Sequence, residues 1–228
     1  MKNIERIVIG LFLTIVIFLT ATLVSAKFHL DIAFIPNFFV TLTIELLLSI
    51  IGIYSMRNYF SYSISVPKLR TLLKPFIYGI VLTVVVNLLL SGIIKMAGGN
   101  LEEHPVLAKL NFLQVLIFIF VYASVAEEML FRGFLMNLLK PLTTKGIVIF
   151  KRKLSMPVII SALAFGSAHL ILISTGVSVF FLFRIVVFTS CLGLLAGYYQ
   201  EKYDNNLYAV IVHMAGNTMA VIGALSVS

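Results

Sequence analysis

Apolar runs of about 20 residues recur seven times along this chain, and no other feature limits its architecture as strongly. About 20 consecutive apolar residues let one helix cross a bilayer. A membrane β-barrel would instead show segments of about 10 residues with alternating polarity, a pattern that the sequence lacks. We therefore predict an all-α, polytopic membrane helix bundle that forms a single integral membrane domain over residues 1–228. The seven predicted spans are 7–26, 33–55, 75–94, 110–139, 157–174, 177–199 and 206–227.

Composition and charge agree with a membrane class. The chain is 61% hydrophobic and only 11% charged, which excludes an ordinary soluble domain. Alternating the loops from a cytoplasmic N-terminus puts three basic residues outside (Lys27, Lys95 and Lys109) and twelve of the 17 inside. The net charge of +8 thus sets topology, and we expect a multi-pass protein of the cell membrane with no nucleic-acid partner. The twelve inner residues are Lys2, Arg6, Arg57, Lys68, Arg70, Lys74, Lys140, Lys145, Lys151, Arg152, Lys153 and Lys202.

The first apolar run has two readings. Val24, Ser25 and Ala26 resemble a signal-peptide cleavage site. The run is about 18 residues long, however, and a signal core has 7–15, so an uncleaved span is favoured and cleavage stays open. The single cysteine, Cys191, excludes an internal disulfide and a cysteine-based zinc cluster.

Three charges interrupt the fourth predicted span. Glu127, Glu128 and Arg132 lie among hydrocarbon side chains, where each unpaired charge costs roughly 2.5–3.5 kcal/mol. Glu128 and Arg132 are four residues apart with the acid first, the favourable order for an ion pair on a helix. Glu127 is about 100° away around the helix and is left free for another partner.

Polar residues on three spans share one depth. From the inner end of its span, Glu127 lies about 18 Å deep, His169 about 18 Å, His213 about 10 Å and Asn217 about 16 Å. His213 and Asn217 are also four residues apart and can enter one cavity together. A carboxylate can activate water, a histidine can share the proton, and amide or imidazole donors can stabilise an oxyanion. The group therefore predicts a hydrolytic site.

Each of these residues also has a structural explanation when taken singly. The pair of Glu128 and Arg132 needs no purpose beyond neutralising two charges in lipid. His169, His213 and Asn217 can each be an interhelical hydrogen bond. Only their combination favours catalysis.

Four further polar residues are expected to be structural or solvated. Glu45 and Arg184 are charges within predicted spans that pair with each other or with the site. His29 and His104 fall in predicted loops and should be solvated. Phe165 shares a helix face with His169 and is expected to pack there, beside substrate.

The chain resembles the type II CAAX prenyl endopeptidases and their bacterial relatives, the Abi or CPBP intramembrane proteases. Three motifs carry the resemblance: Glu-Glu-x-x-x-Arg, Phe-x-x-x-His and His-x-x-x-Asn. They occur in family order within residues 110–228, which the resemblance marks as the catalytic core. Here the motifs end at Arg132, His169 and Asn217.

The resemblance implies a role for each motif residue. Glu127 is the general base that activates water, and His169 helps to hold that water. Glu128 is an accessory carboxylate held by Arg132. His213 and Asn217 stabilise the oxyanion.

The sequence leaves alternatives open for the cofactor and for the substrate. A metal-free site is favoured, with zinc held by Glu127, His169 and His213 as the alternative. The expected substrate is a membrane-associated peptide or protein that reaches the site from the cytoplasm or laterally from the lipid bilayer. The family's bacterial members process small peptide precursors or confer immunity. A non-catalytic immunity factor or scaffold is therefore the alternative function, followed by a proton-coupled transporter. The oligomeric state is left open.

Overall fold

The computed structural model describes residues 1–28, 30–59, 62–149 and 151–227, without the side chain of Val227. Over these residues the chain forms seven helices that are long and apolar enough to cross a membrane. Predicted and observed spans agree in number and order, and the all-α prediction is confirmed. His29 lies outside the described residues. The helices are α1 (Asn3–Ser25), α2 (Phe38–Ser55), α3 (Leu69–Met96), α4 (Phe112–Met136), α5 (Met156–Thr175, of which His169–Thr175 is 3₁₀-helical), α6 (Val179–Tyr203) and α7 (Leu207–Val227).

Helix α3 begins earlier than the hydrophobic pattern predicts. Its first residue is Leu69, so Pro75 lies inside the helix rather than at its start. Arg70 and Lys74 interrupt the apolar run there, which is why hydropathy alone misses this turn. In α5, by contrast, Pro157 occupies the first turn as expected, and the Ser155 hydroxyl accepts the N-cap hydrogen bond from Val158.

Helix α4 lies at the centre of the bundle and departs from α geometry. In its most apolar window 44% of residues are buried, against 17–33% in the other six helices. It contacts α1, α2, α5, α6 and α7. Ser124–Glu128 is α-helical, whereas Val115–Ala123 and Met129–Met136 on either side are π-helical. The length of the fourth predicted span requires that it tilt, extend past the membrane or bend near Gly133, and the second π-helical stretch contains that residue. Such stretches are frequent at functional sites.

The basic segment between α4 and α5 forms a hairpin rather than an irregular loop. Strands β1 (Gly146–Ile149) and β2 (Arg152–Ser155) pair antiparallel, with Gly146 opposite Ser155. Lys151 in the turn has a φ of 64°. Three short 3₁₀ segments complete the described secondary structure: Arg57–Tyr59, Leu107–Lys109 and Lys140–Leu142.

Candidate active site

A buried ion cluster joins α4 to α7. The Glu128 carboxylate and the Arg132 guanidinium are both 0% exposed, and Arg132 Nη1 donates to Glu128 Oε1 at 2.9 Å. The same oxygen lies 2.9 Å from His213 Nδ1. Since a carboxylate accepts hydrogen bonds, His213 Nδ1 carries the proton and its Nε2 is left free for other partners. The ion pair of Glu128 and Arg132 forms as the sequence predicts, and the bond to His213 adds an interhelical link.

Other residues hold the Arg132 side chain in place. Its guanidinium lies over the Phe165 ring at 4.7 Å, and Nε and Nη2 have no hydrogen-bond partner among the described residues. The cation–π contact partly replaces those missing bonds. A Cβ at Gly193 on α6 would lie 2.5 Å from Nη2, so only glycine leaves room there. Gln200, also on α6, donates to the backbone carbonyl of Arg132 at 3.0 Å.

Glu127 differs from its neighbour in being open to a cavity. Its side chain is 24% exposed, whereas that of Glu128 is 1% exposed. Glu127 Oε2 lies 3.9 Å from His213 Nε2, too far for a direct hydrogen bond. One water can nevertheless contact both atoms at about 2.8 Å. A water held there would face a carboxylate and an imidazole at once.

Helix α5, which carries the Phe-x-x-x-His motif, brings His169 to the same cavity. His169 Nδ1 lies 3.1 Å from the Phe165 carbonyl, an acceptor, so Nδ1 carries the proton and Nε2 can accept one. The Phe165 ring is 1% exposed and contacts the rings of both His169 and His213 at 5.3 Å between centroids. Phe165 therefore spaces the two histidines apart.

Asn217 is held by α4. Its Nδ2 donates to the Ile119 carbonyl at 3.1 Å and to the Ser124 hydroxyl at 3.2 Å. Both amide protons are thus engaged by protein acceptors. The oxyanion role that the resemblance implies for Asn217 stays a prediction.

One cavity of about 730 Å³ is lined by most of the motif residues. It extends from the motif residues towards the loop of residues 97–111, which joins α3 to α4. Glu128 and Arg132 are not in its wall and lie behind it. Most of the lining is apolar and comes from all seven helices. The polar lining from the motifs consists of Glu127, His169, His213 and Asn217, with Phe165 and Phe131 beside them.

The cavity reaches the loop of residues 97–111, and the access from the cytoplasm or laterally from the bilayer that the sequence analysis expects stays a prediction. His104, Val106 and Leu107 in the loop of residues 97–111 line the cavity. The charge pattern assigns that loop to the side opposite the basic loops. Instead of being solvated, His104 is partly buried against the Phe181 ring. Burial, and then the charge of Arg184, lower the pKa of His104 to about 4.

Glu45 and Arg184 also line this cavity, but they are not a pair. Arg184 Nη2 donates to the backbone carbonyl of Glu102 at 2.5 Å. Glu45 on α2 is 2% exposed, and its Oε1 is buried without a hydrogen-bond partner among the described residues. The sequence marks Glu45 as an intramembrane charge, which is a recognised signal of function, but the pairing with Arg184 that it offers does not form.

Whether the motif residues hold zinc stays a prediction of the sequence analysis. Across the described ranges, no three His, Cys, Asp or Glu side chains are arranged to hold a metal ion. His213 Nδ1 and His169 Nδ1 each contact an oxygen acceptor of the protein, which leaves Nε2 as the free nitrogen of both rings.

Comparison with known proteins gives a family match. Residues 109–219, just under half of the chain, match the family model described as type II CAAX prenyl endopeptidase Rce1-like. We call these residues the Rce1-like segment. No curated protein and no solved structure matches the chain. The Rce1-like segment contains all three motifs and begins just before α4. The match supports a type II CAAX protease, which is a peptide hydrolase, within a multi-pass membrane protein.

Proposed function

We propose that this protein is an intramembrane endopeptidase in which Glu127 activates the attacking water. The observation that carries the proposal is the position of Glu127, the acid of the Glu-Glu pair that is exposed to the cavity, 3.9 Å from the imidazole of His213. A water between these two atoms would have a base on one side. Its second neighbour would be His213 Nε2, which accepts a hydrogen bond from the water because Nδ1 carries the proton.

The other motif residues take supporting roles in this proposal. Glu128 fixes the orientation of His213 through Nδ1, and Arg132 balances the charge of Glu128. His169 presents Nε2 to the cavity and holds the water. When protonated, His213 Nε2 donates to the oxyanion.

The reaction then proceeds in two proton transfers. Glu127 takes a proton from water while the oxygen attacks the peptide carbonyl carbon, which becomes a tetrahedral oxyanion. The carbon–nitrogen bond breaks as the proton on Glu127 passes to the leaving amine. The products are a carboxylic acid and an amine, and no metal is required.

The cavity also bears on substrate and orientation. We propose a cell-membrane protein with a cytoplasmic N-terminus, one membrane domain and a catalytic core in residues 110–228. Its substrates are membrane-associated peptides or proteins that enter from the side of the loop of residues 97–111. The mainly apolar lining suits an apolar peptide segment.

A proteomic comparison tests the proposal. Membranes from cells with the wild type and with Glu127→Gln are compared for peptides that appear only with the wild type. The proposal expects such products, together with equal accumulation of both proteins. Identical peptide profiles with an unchanged cellular phenotype would instead support the non-catalytic immunity or scaffold function.

A further inference from the structure

Glu45 is a buried acid that the hydrolytic mechanism does not use. It lies in the first half of α2, is 2% exposed, and has a buried oxygen that accepts no hydrogen bond. Within the part of the chain that the structure describes, no basic side chain lies within ion-pair distance of it. Its backbone carbonyl accepts from the Ser49 hydroxyl.

A helix rarely retains an acid in such a place without a use for it. A buried carboxylate without a partner is strongly unfavourable, and a bound cation would remove that penalty. Glu45 is in the cavity wall, and Glu127 is close enough for the two acids to interact electrostatically. Two acids facing one cavity repel an anionic ligand and attract a cationic one.

We infer that Glu45 forms a subsite for a cationic group of the substrate, a lysine or arginine side chain, beside the scissile bond held at Glu127. The inference rests on the proposed endopeptidase function and names a feature of its substrate.

The lining of the cavity that contains Glu45 suits a long basic side chain. Phe18, Leu42 and Leu88 provide apolar contacts for an alkyl stem, as lysine and arginine stems prefer. Asn87 on α3 also lines the cavity, and its Nδ2 donates to the Thr83 carbonyl. The Oδ1 of Asn87 is therefore a second acceptor for an ammonium or guanidinium group.

Arg184, a basic side chain in the cavity wall, does not compete with a substrate cation for Glu45. Arg184 is anchored to the loop of residues 97–111 through its bond to the Glu102 carbonyl. The Glu102 carboxylate accepts from the Ser178 backbone N–H at 3.2 Å, and the Arg184 charge lowers the pKa of that carboxyl after the effect of Ser178. Arg184 therefore already has an acidic neighbour.

The test uses quenched fluorescent peptides of one apolar sequence in which each position in turn carries lysine or methionine. Methionine matches the stem of lysine without its charge. The full-length wild type should cleave lysine peptides with a lower KM at one position, and Glu45→Gln should raise that KM about tenfold. The ratio of kcat/KM for lysine and methionine at that position then falls towards one. Glu103→Gln, which removes an exposed acid of the loop of residues 97–111, should keep the preference for lysine.

Three results would overturn the inference. They are a wild type with no lysine preference, a Glu45→Gln protein that keeps it, and an equal loss on lysine and methionine peptides. If the glutamine variant does not accumulate, Glu45→Asp keeps the charge and should retain part of the preference. Its complete loss in a folded Glu45→Asp protein would also count against the subsite.

A binding measurement separates this inference from the proposed function. Fluorescence polarisation of labelled lysine and methionine peptides is compared for Glu127→Gln and for Glu127→Gln combined with Glu45→Gln. A lysine preference that requires Glu45 supports the subsite even if the wild type cleaves none of the peptides. In that event only the endopeptidase proposal is lost. No effect of Glu45 on binding overturns the subsite by itself.

Discussion

The Rce1-like segment and the part of the chain before it differ in whether a buried acid has partners. In the segment, Glu128 is 0% exposed and one oxygen contacts both Arg132 and His213 at 2.9 Å. Before the segment, Glu45 is 2% exposed and has a buried oxygen with no hydrogen-bond partner in the described part of the chain. Both acids lie in spans where water does not compensate charge. The difference indicates that the buried charges of the segment hold its side chains in place, whereas the buried charge of Glu45 in the preceding helices is available to a ligand.

The largest effect is expected for Glu127, the acid of the segment that is exposed to the cavity. Glu127→Gln keeps the size of the side chain but removes the base, and cleavage should fall by about 10²–10⁴-fold. Cleavage of a substrate found in the proteomic comparison measures this, with Glu103→Gln as the control for loss of an acid elsewhere. Residual cleavage above one tenth of the wild type would assign the base to another residue.

The second effect concerns stability within the segment. Glu128→Gln leaves Arg132 as an unpaired buried charge and should lower the free energy of unfolding by about 3–5 kcal/mol. Adding Arg132→Met removes that charge and should restore most of the loss. Unfolding in detergent measures both proteins. A double variant that is no more stable than the single one would show that the pair is not the source of the loss.

A smaller, pH-dependent effect is expected at His104, before the segment. Burial lowers its pKa to about 4 from 6.5, so between these values the unfolded chain binds more protons than the folded one. Stability therefore falls as the pH drops through this window. His104→Gln should reduce that loss by on the order of 1 kcal/mol and leave stability at pH 8 nearly unchanged. Parallel losses in wild type and variant between pH 7 and pH 4 would contradict this origin.

Glu45→Gln should not destabilise the protein, in direct contrast to Glu128→Gln. No partner is lost and an unpaired buried charge is removed, so the free energy of unfolding should equal or exceed that of the wild type. Measured side by side under the same conditions, the two glutamine variants form a matched pair. Equal losses would remove the distinction between the two parts of the chain.

The smallest effect is expected from chelation. If Glu127 and His213 act without a metal, exhaustive treatment with a zinc chelator should leave the cleavage rate unchanged. Elemental analysis of the purified protein accompanies the assay. Loss of activity that zinc restores would favour the zinc alternative of the sequence analysis.

The spans were predictable because lipid demands uninterrupted apolar helices. Their number and order follow from hydropathy, and residue spacing predicts the pair of Glu128 and Arg132. The polar first turn of α3 before Pro75 carries no hydropathy signal and was missed. The hairpin of β1 and β2 was also missed, since its basic residues resemble those of any inner loop.

The site was predictable only in part. The motif spacing and the resemblance select Glu127, His169 and His213, and the structure places all three along one cavity. Gly193 and Gln200 on α6 were not found, because only the position of Arg132 gives them meaning. His104 was assigned to solvent because a loop residue has no sequence signal of burial.

The sequence by itself determined that this chain crosses a membrane as helices and which polar residues lie at membrane depth, since both follow from local composition and helical spacing. The tertiary structure decided what each polar group faces. It placed Glu128 behind the cavity with two partners, Glu127 in the cavity wall, and Glu45 in that wall with no basic side chain of the described residues within ion-pair distance. In a medium of low dielectric constant, the function of a charge depends on its neighbours, and those come from distant parts of the chain.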